Sequence, residues 1–145
     1  MPSHRRAKGA RDEEELRARH VAAIARLLAR RGDRGRQDRL GGKIVWIAGH
    51  TGQKDDAGKS LAGDFRAQTY QTFRNIGTTL NGAGASLKDI VTMTVFMTDA
   101  RNTTKMTEIR TEIFGSDYPA SAAITVAGFA DPDMLIEIEG IAVIV

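Results

Sequence analysis

The sequence predicts an α+β fold, a β-α-β-α-β-β sandwich in which two helices cover one face of a sheet. Three observations carry that prediction. Four short segments, 43–49, 89–99, 122–129 and 135–145, are apolar or alternate apolar with polar residues at the period of a strand. Two longer segments between them, 64–81 and 103–114, repeat their apolar residues at the period of a helix. Glycine, proline and aspartate gather at the junctions.

KIVWIAG, Lys43 to Gly49, is a short apolar strand ending at a glycine, and GHTGQKDDAGK after it is rich in turn formers. The first helix should run from about Asp64 to Asn81. Phe65, Phe73, Ile76 and Leu80 share a face there, and Gly82 and Gly84 stand where it should stop. DIVTMTVFMTD alternates strictly, with Val91, Met93, Val95 and Met97 on one side; both methionines read as core or interface filler. Met106, Ile109 and Ile113 align on a second helix over Thr103–Phe114. AAITVAGF and LIEIEGIAVIV are the closing strands, separated by the turn ADPD.

The last strand is apolar on both sides. Ile136, Ile138, Ala142 and Ile144 form one side; Leu135, Glu137, Glu139, Ile141, Val143 and Val145 form the other. Two helices cover one face, so the remaining apolar face predicts self-association. Glu137 and Glu139 lie on that second side, where a carboxylate needs a partner or a task.

Composition narrows the class. A chain of 145 residues is one domain's worth. It has no cysteine, which excludes disulfides and thiolate metal sites and suits the cytoplasm, the expected location. No apolar run approaches the ~18 residues of a membrane span, and the basic N-terminus lacks the apolar core of a signal peptide; no membrane association is expected. The net charge of +3 hides a division. Residues 1–43 carry 13 Lys and Arg against 6 Asp and Glu, a net of +7, whereas residues 44–145 carry 8 against 12, a net of −4. The basic part, residues 1–42, reads as an atypical N-terminal segment before the domain of residues 43–145. A helix opens on Asp12-Glu13-Glu14-Glu15, is carried by Leu16, Val21, Ile24 and Leu28, and gives way near Gly32 to a linker. No aromatic residue is interleaved for base stacking, so nucleic acid is not an expected partner.

Residues 43–145 resemble the Rid family (YjgF, also described as L-PSP endoribonuclease). GKIVWIAGHTG, GDFRAQTYQTFRNIGTTLNGAGASLKDIVTMTVFMTD, YPAS…ITV and LIEIEGIAV carry the resemblance; AQT, AGASLKDIV, TVFMTD and IEIE arrive in order at family spacing. It implies a chorismate-mutase-like fold and a homotrimer, joined through the uncovered sheet face, with three pockets between subunits. It also implies hydrolysis of reactive enamines and imines such as 2-aminoacrylate to 2-keto acids and ammonia, with neither cofactor nor metal.

Laid on this chain, the resemblance makes Glu137 the catalytic residue that holds or polarises the attacking water. Gly49, flanked by Ala48 and His50, would present a backbone N–H to the substrate carboxylate, and the carbonyl of Ala123 would help place the water. Thr107 stands where the family has an asparagine. Ser121 stands where the family's Pro-Ala-Arg-Ser has an arginine that grips the substrate carboxylate. YPASAAITV is then the anion-gripping motif with its grip replaced by a serine. Truncating one partner of such a bidentate pair costs ~2–5 kcal/mol, so a smaller or neutral substrate is expected. Family members also place Gly-x-Tyr-Ser-x-Ala before the first glycine, where this chain has LLARRGDRG, Leu27 to Gly35. Codons exist for that stretch whose next frame reads Tyr-Ser-Arg-Gly-Ala-Val-Thr-Gly. A shifted reading frame up to about Leu40 is therefore a second reading of residues 1–42.

Each site residue also has a purely structural reading. Ser121 could cap a turn, Glu137 could be satisfied by backbone N–H groups at an interface, and Gly49 could simply end a strand. His50 reads as a loop histidine, with no second metal ligand at suitable spacing. The functional expectation is a hydrolase (deaminase) of small imines, enamines or related carbonyl compounds. Two alternatives stay open: a non-catalytic small-ligand-binding trimer, and an RNA-binding or endoribonuclease-type protein driven by residues 1–43.

Overall fold

The computed structural model describes residues 42–144. The basic helix, its linker and the shifted-frame reading of residues 1–42 lie outside the described residues, as does Val145. Helix α1 (Phe65–Gly82) starts where Asp64 accepts a hydrogen bond from the Ala67 N–H, 2.9 Å, which satisfies one orphan donor of the first turn. It stops because Gly84 takes the left-handed conformation, φ +78°, and lets the Ala85 N–H return to the Leu80 carbonyl at 2.8 Å. Phe65, Phe73, Ile76 and Leu80 form its buried stripe, as their spacing predicts.

Strands β1 (Lys43–His50), β2 (Ile90–Met97), β3 (Ala120–Thr125) and β4 (Ile136–Ile144) make one sheet in the order β1-β4-β2-β3. β4 is antiparallel to both its neighbours. β3 is parallel to β2, and the crossover this requires is made by helix α2 (Thr103–Phe114). Ile47, Met93, Val95, Met97, Ile136 and Ile138 are buried in one core with the α1 stripe and with Met106 and Ile109 of α2. Phe73 and Phe114 lock the two helices together edge to face, ring centroids 5.6 Å apart.

Two details differ from the sequence pattern. The alternation of β2 breaks at its start: Ile90 is buried and Val91 only half-buried. The β2–β4 register slips between Ile90 and Thr92, and a bulge there turns the first residue inward. The third strand runs over Ala120–Thr125 rather than 122–129. Val126 still donates to the Met97 carbonyl, 2.9 Å, and the chain then leaves the sheet although its residues stay apolar.

The face away from the helices is apolar and uncovered in the single chain. Register sets Trp46 beside Ile141 and Ile44 beside Val143. Trp46 is 77% exposed and Ile44 58%. Among the described residues no helix is long and apolar enough to cross a membrane.

Candidate functional site

The end of β1 is built around a bulge. Ile47 pairs with Gly140 and His50 with Ile138, so Ala48 and Gly49 together face Glu139. His50 closes the strand rather than lying in a loop. Its Nδ1 donates to the Ala48 carbonyl at 2.6 Å, and its Nε2 meets the Thr79 hydroxyl of α1 at 2.7 Å. With Nδ1 carrying the proton of a neutral ring, Nε2 accepts from Thr79. The imidazole thus ties the bulge to the helix.

Gly49 has no side chain because Glu137 occupies the space: a Cβ there would overlap the Glu137 carboxylate. Glu137 is half-buried on the uncovered face of β4, opposite Phe96 of β2. It accepts no hydrogen bond and makes no ion pair among the described residues of the single chain. Its position is set from behind by Gln68, the centre of the AQT motif. The buried Gln68 amide donates to the carbonyls of Leu61 (3.1 Å) and Asp133 (2.8 Å) and accepts from the Leu135 N–H (3.0 Å). That clamp fixes residues 133–135, which lead directly into β4. Sequence reasoning used AQT as a marker of resemblance and missed this mechanical role; a glutamine on an otherwise buried helix face was the available signal.

The other candidate residues gather on α2 and β3. Thr107 sends its hydroxyl back to the Thr103 carbonyl, 3.0 Å, within the helix. Ser121 is the second residue of β3 and not a turn cap. It lies in register with Met93, hence on the helix side of the sheet, and Ala123 lies likewise beside Val95. Both are exposed. The Ser121 hydroxyl accepts a hydrogen bond from Nη1 of Arg110, 2.7 Å away, one helical turn beyond Thr107. The Arg110 guanidinium carbon sits 4.8 Å from the centroid of the Tyr118 ring. Its Nε is buried without a partner, an arrangement that costs about 1–3 kcal/mol. Nothing along the sequence points to Arg110, because only the crossover from α2 to β3 brings it to Ser121.

The five candidate residues thus fall into two groups, the two candidate half-sites. Glu137 and Gly49 meet on the uncovered face next to β1. Thr107, Ser121 and Ala123 lie by β3 at the opposite edge of the sheet, on the helix side. Two open concavities, of about 680 and 470 Å³, contain none of the five. Among the described residues no group of three His, Asp or Glu side chains could hold a metal ion.

A four-stranded mixed sheet under two helices, with a glycine bulge seated on a strand glutamate, defines the class. The chain belongs to the endoribonuclease L-PSP family, whose model matches residues 39–144. A RutC family protein of Pyrococcus abyssi is 38% identical over 101 residues, 70% of this chain and 79% of that protein. The human protein named 2-iminobutanoate/2-iminopropanoate deaminase is 30% identical over 101 residues, 70% of this chain and 73% of its own. The fold is shared with the crystal structure of RidA from the Antarctic bacterium Psychrobacter sp., with a TM-score of 0.65 and 35% identity over 72% of this chain and 83% of that one.

Proposed function

We propose that this protein hydrolyses small reactive imines and enamines to carbonyl compounds and ammonia, in a pocket completed between copies of the chain. The observation that carries the reading is the Glu137 carboxylate, half-buried, backed by Gly49 and without a partner among the described residues. A carboxylate so placed is suited to accept a hydrogen bond from water and to take its proton as the oxygen attacks. A new C–O bond forms at the imine carbon while the C=N pair moves onto nitrogen. Glu137 returns the proton to nitrogen to give a carbinolamine, whose hydroxyl proton then passes by way of Glu137 to the same nitrogen; the C–N bond breaks, and ammonia leaves as the carbonyl closes. An enamine enters the same path by taking a proton on carbon to become the imine. The balance is one water in and one ammonia out, with no change of oxidation state. The name of the human relative supports this substrate class.

Self-association through the face carrying Trp46 and Ile44 would bring the two half-sites of different copies together, and a trimer is the assembly we propose. A cysteine-free chain suits the cytoplasm. An RNA-cleaving role draws on the family description and on residues 1–43; the net charge of −4 over residues 44–145 argues against phosphate binding by the described part.

Ammonia release across a panel of amine-derived imines, charged and neutral, tests the reading. Glu137→Gln should lower turnover at least ~100-fold and leave the assembly intact. Glu139→Gln, on the same face but exposed, should remain close to the parent. Equal losses would mean that the pocket lies elsewhere, and no ammonia release by the parent from any imine would leave the non-catalytic ligand-binding trimer as the better account.

A further inference from the structure

We infer that Arg110 of α2 is the anion grip of this protein, and that its preferred substrates therefore carry a carboxylate. The inference takes its chemistry from the imine-hydrolase reading and its charge from the geometry between α2 and β3. A serine at position 121 predicts a site without positive charge there. The fold supplies that charge from the neighbouring helix: Arg110 Nη1 stands 2.7 Å from the Ser121 hydroxyl. The Tyr118 ring lies against the guanidinium, and Tyr118 is itself held by a 3.0 Å hydrogen bond between its hydroxyl and Thr111.

Arg110 is charged, oriented and underused. The described residues contain three other arginines, and each is bonded to a carboxylate: Arg66 to Glu108 and Glu112, Arg74 to Asp56, Arg101 to Asp99. Arg110 has no acidic partner among the described residues. Its Nε is buried and unpaired, and the bond from Nη1 to Ser121 is the one hydrogen bond its side chain makes among the described residues, which leaves Nη2 without a partner there. Arginines that serve a fold spend their donors; the terminal nitrogens of this one keep free donors beside an exposed serine. Ser121 accepts from Nη1 and keeps its own proton, so hydroxyl and guanidinium can both donate to one carboxylate. Ser121 then orients the grip instead of replacing it.

The test uses the full chain and 2-oxobutanoate, a carboxylate-bearing product analogue, with 2-butanone as its uncharged counterpart. Binding is followed by ligand-observed NMR. Arg110→Gln should weaken 2-oxobutanoate at least about 30-fold and leave 2-butanone unchanged; Arg110→Lys, which keeps the charge but loses the planar fork, should fall between. Should Arg110→Gln fail to fold, phenylglyoxal modification of the parent replaces it: 2-oxobutanoate, and not 2-butanone, should protect Arg110 as mapped by peptide mass. Equal 2-oxobutanoate binding by the parent and a folded Arg110→Gln, or no protection of Arg110, overturns the inference. A parent that binds 2-oxobutanoate through Arg110 yet releases no ammonia sinks the hydrolase reading and leaves the anion grip standing. Arg110→Gln that hydrolyses carboxylate-bearing imines with the parent's kcat/KM does the reverse.

Discussion

Gly49 and Glu137 constrain each other: the glycine leaves room for the carboxylate, and the carboxylate forbids any side chain at the glycine. Gly49→Ala should push Glu137 aside by the width of a methyl group. A displacement of that order at a reacting group costs about 100-fold in rate, while the melting temperature should change little because the bulge lies at a strand end. Full turnover with a normal Tm would show that the position of Glu137 does not matter to the reaction. On the sequence alone, Ser121→Arg reads as the restoration of a lost grip and promises a gain on acidic imines. With Arg110 already at the Ser121 hydroxyl, a second guanidinium would be set against the first. We therefore expect no gain in kcat/KM on carboxylate-bearing imines; a tenfold rise would restore the simpler picture. Glu137 and Gly49 could be nominated from the sequence because they stand within continuous motifs. Arg110 was not, since its role depends on where a crossover helix lands.

At the scale of elements, the helices were the most legible. The stripe Phe65, Phe73, Ile76, Leu80 and the run Met106, Ile109 fix a 3.6-residue period that only a helix satisfies, and the ends are marked by Asp64 and Gly84. The strands were legible as strands, but their limits and partners were not. Nothing in VAGF says that the chain leaves the sheet after Thr125, and the slip beside Ile90 arises from pairing with β4 rather than from β2 itself. Gln68 joins α1 to the lead-in of β4. Gln68→Leu would leave the Leu135 N–H and the Asp133 carbonyl unpaired, while the Leu61 carbonyl keeps the Asp64 N–H; this should lower stability by about 2–4 kcal/mol in urea unfolding, and a change below about 0.5 kcal/mol, the scale of a neutral surface substitution, would deny it that role. The loop before α1 is held differently. Hydrogen bonds first from Gln71 and then from Arg74 keep the Asp56 carboxyl below its ordinary value. A lowered folded value means that this tether is complete above the ordinary carboxylate range and is lost as pH falls through the folded one. Proteolysis within residues 53–60 should therefore quicken only below about pH 4. Quickening already at neutral pH would show that this tether does not hold the loop.

At the scale of the whole molecule, a single chain leaves the face of the sheet away from the helices bare. The two candidate half-sites lie towards opposite edges of one sheet, and the chain's only tryptophan is 77% exposed on the face away from the helices. Sequence could show that β4 is apolar on both sides, which is why association is expected. It could not show that Trp46 and Ile141 would lie side by side on the bare face. Trp46→Glu should sediment as a folded monomer at micromolar concentration and lose ammonia release with it; an intact oligomer would mean that this face is not the interface. The account turns on a hydrolytic site shared between copies, and subunit complementation tests that most directly. Glu137→Gln removes one half-site, and Ser121→Glu spoils the other by setting a carboxylate where an anion should bind. Each alone should be inactive. Co-expressed in equal amounts and assembled together, they should regain about a quarter of the parent's ammonia release, because in a ring of head-to-tail contacts a quarter of the sites combine two intact halves. Assembled mixtures as inactive as the separate variants would contradict the account, since a site lying within one chain can never be repaired by its neighbour.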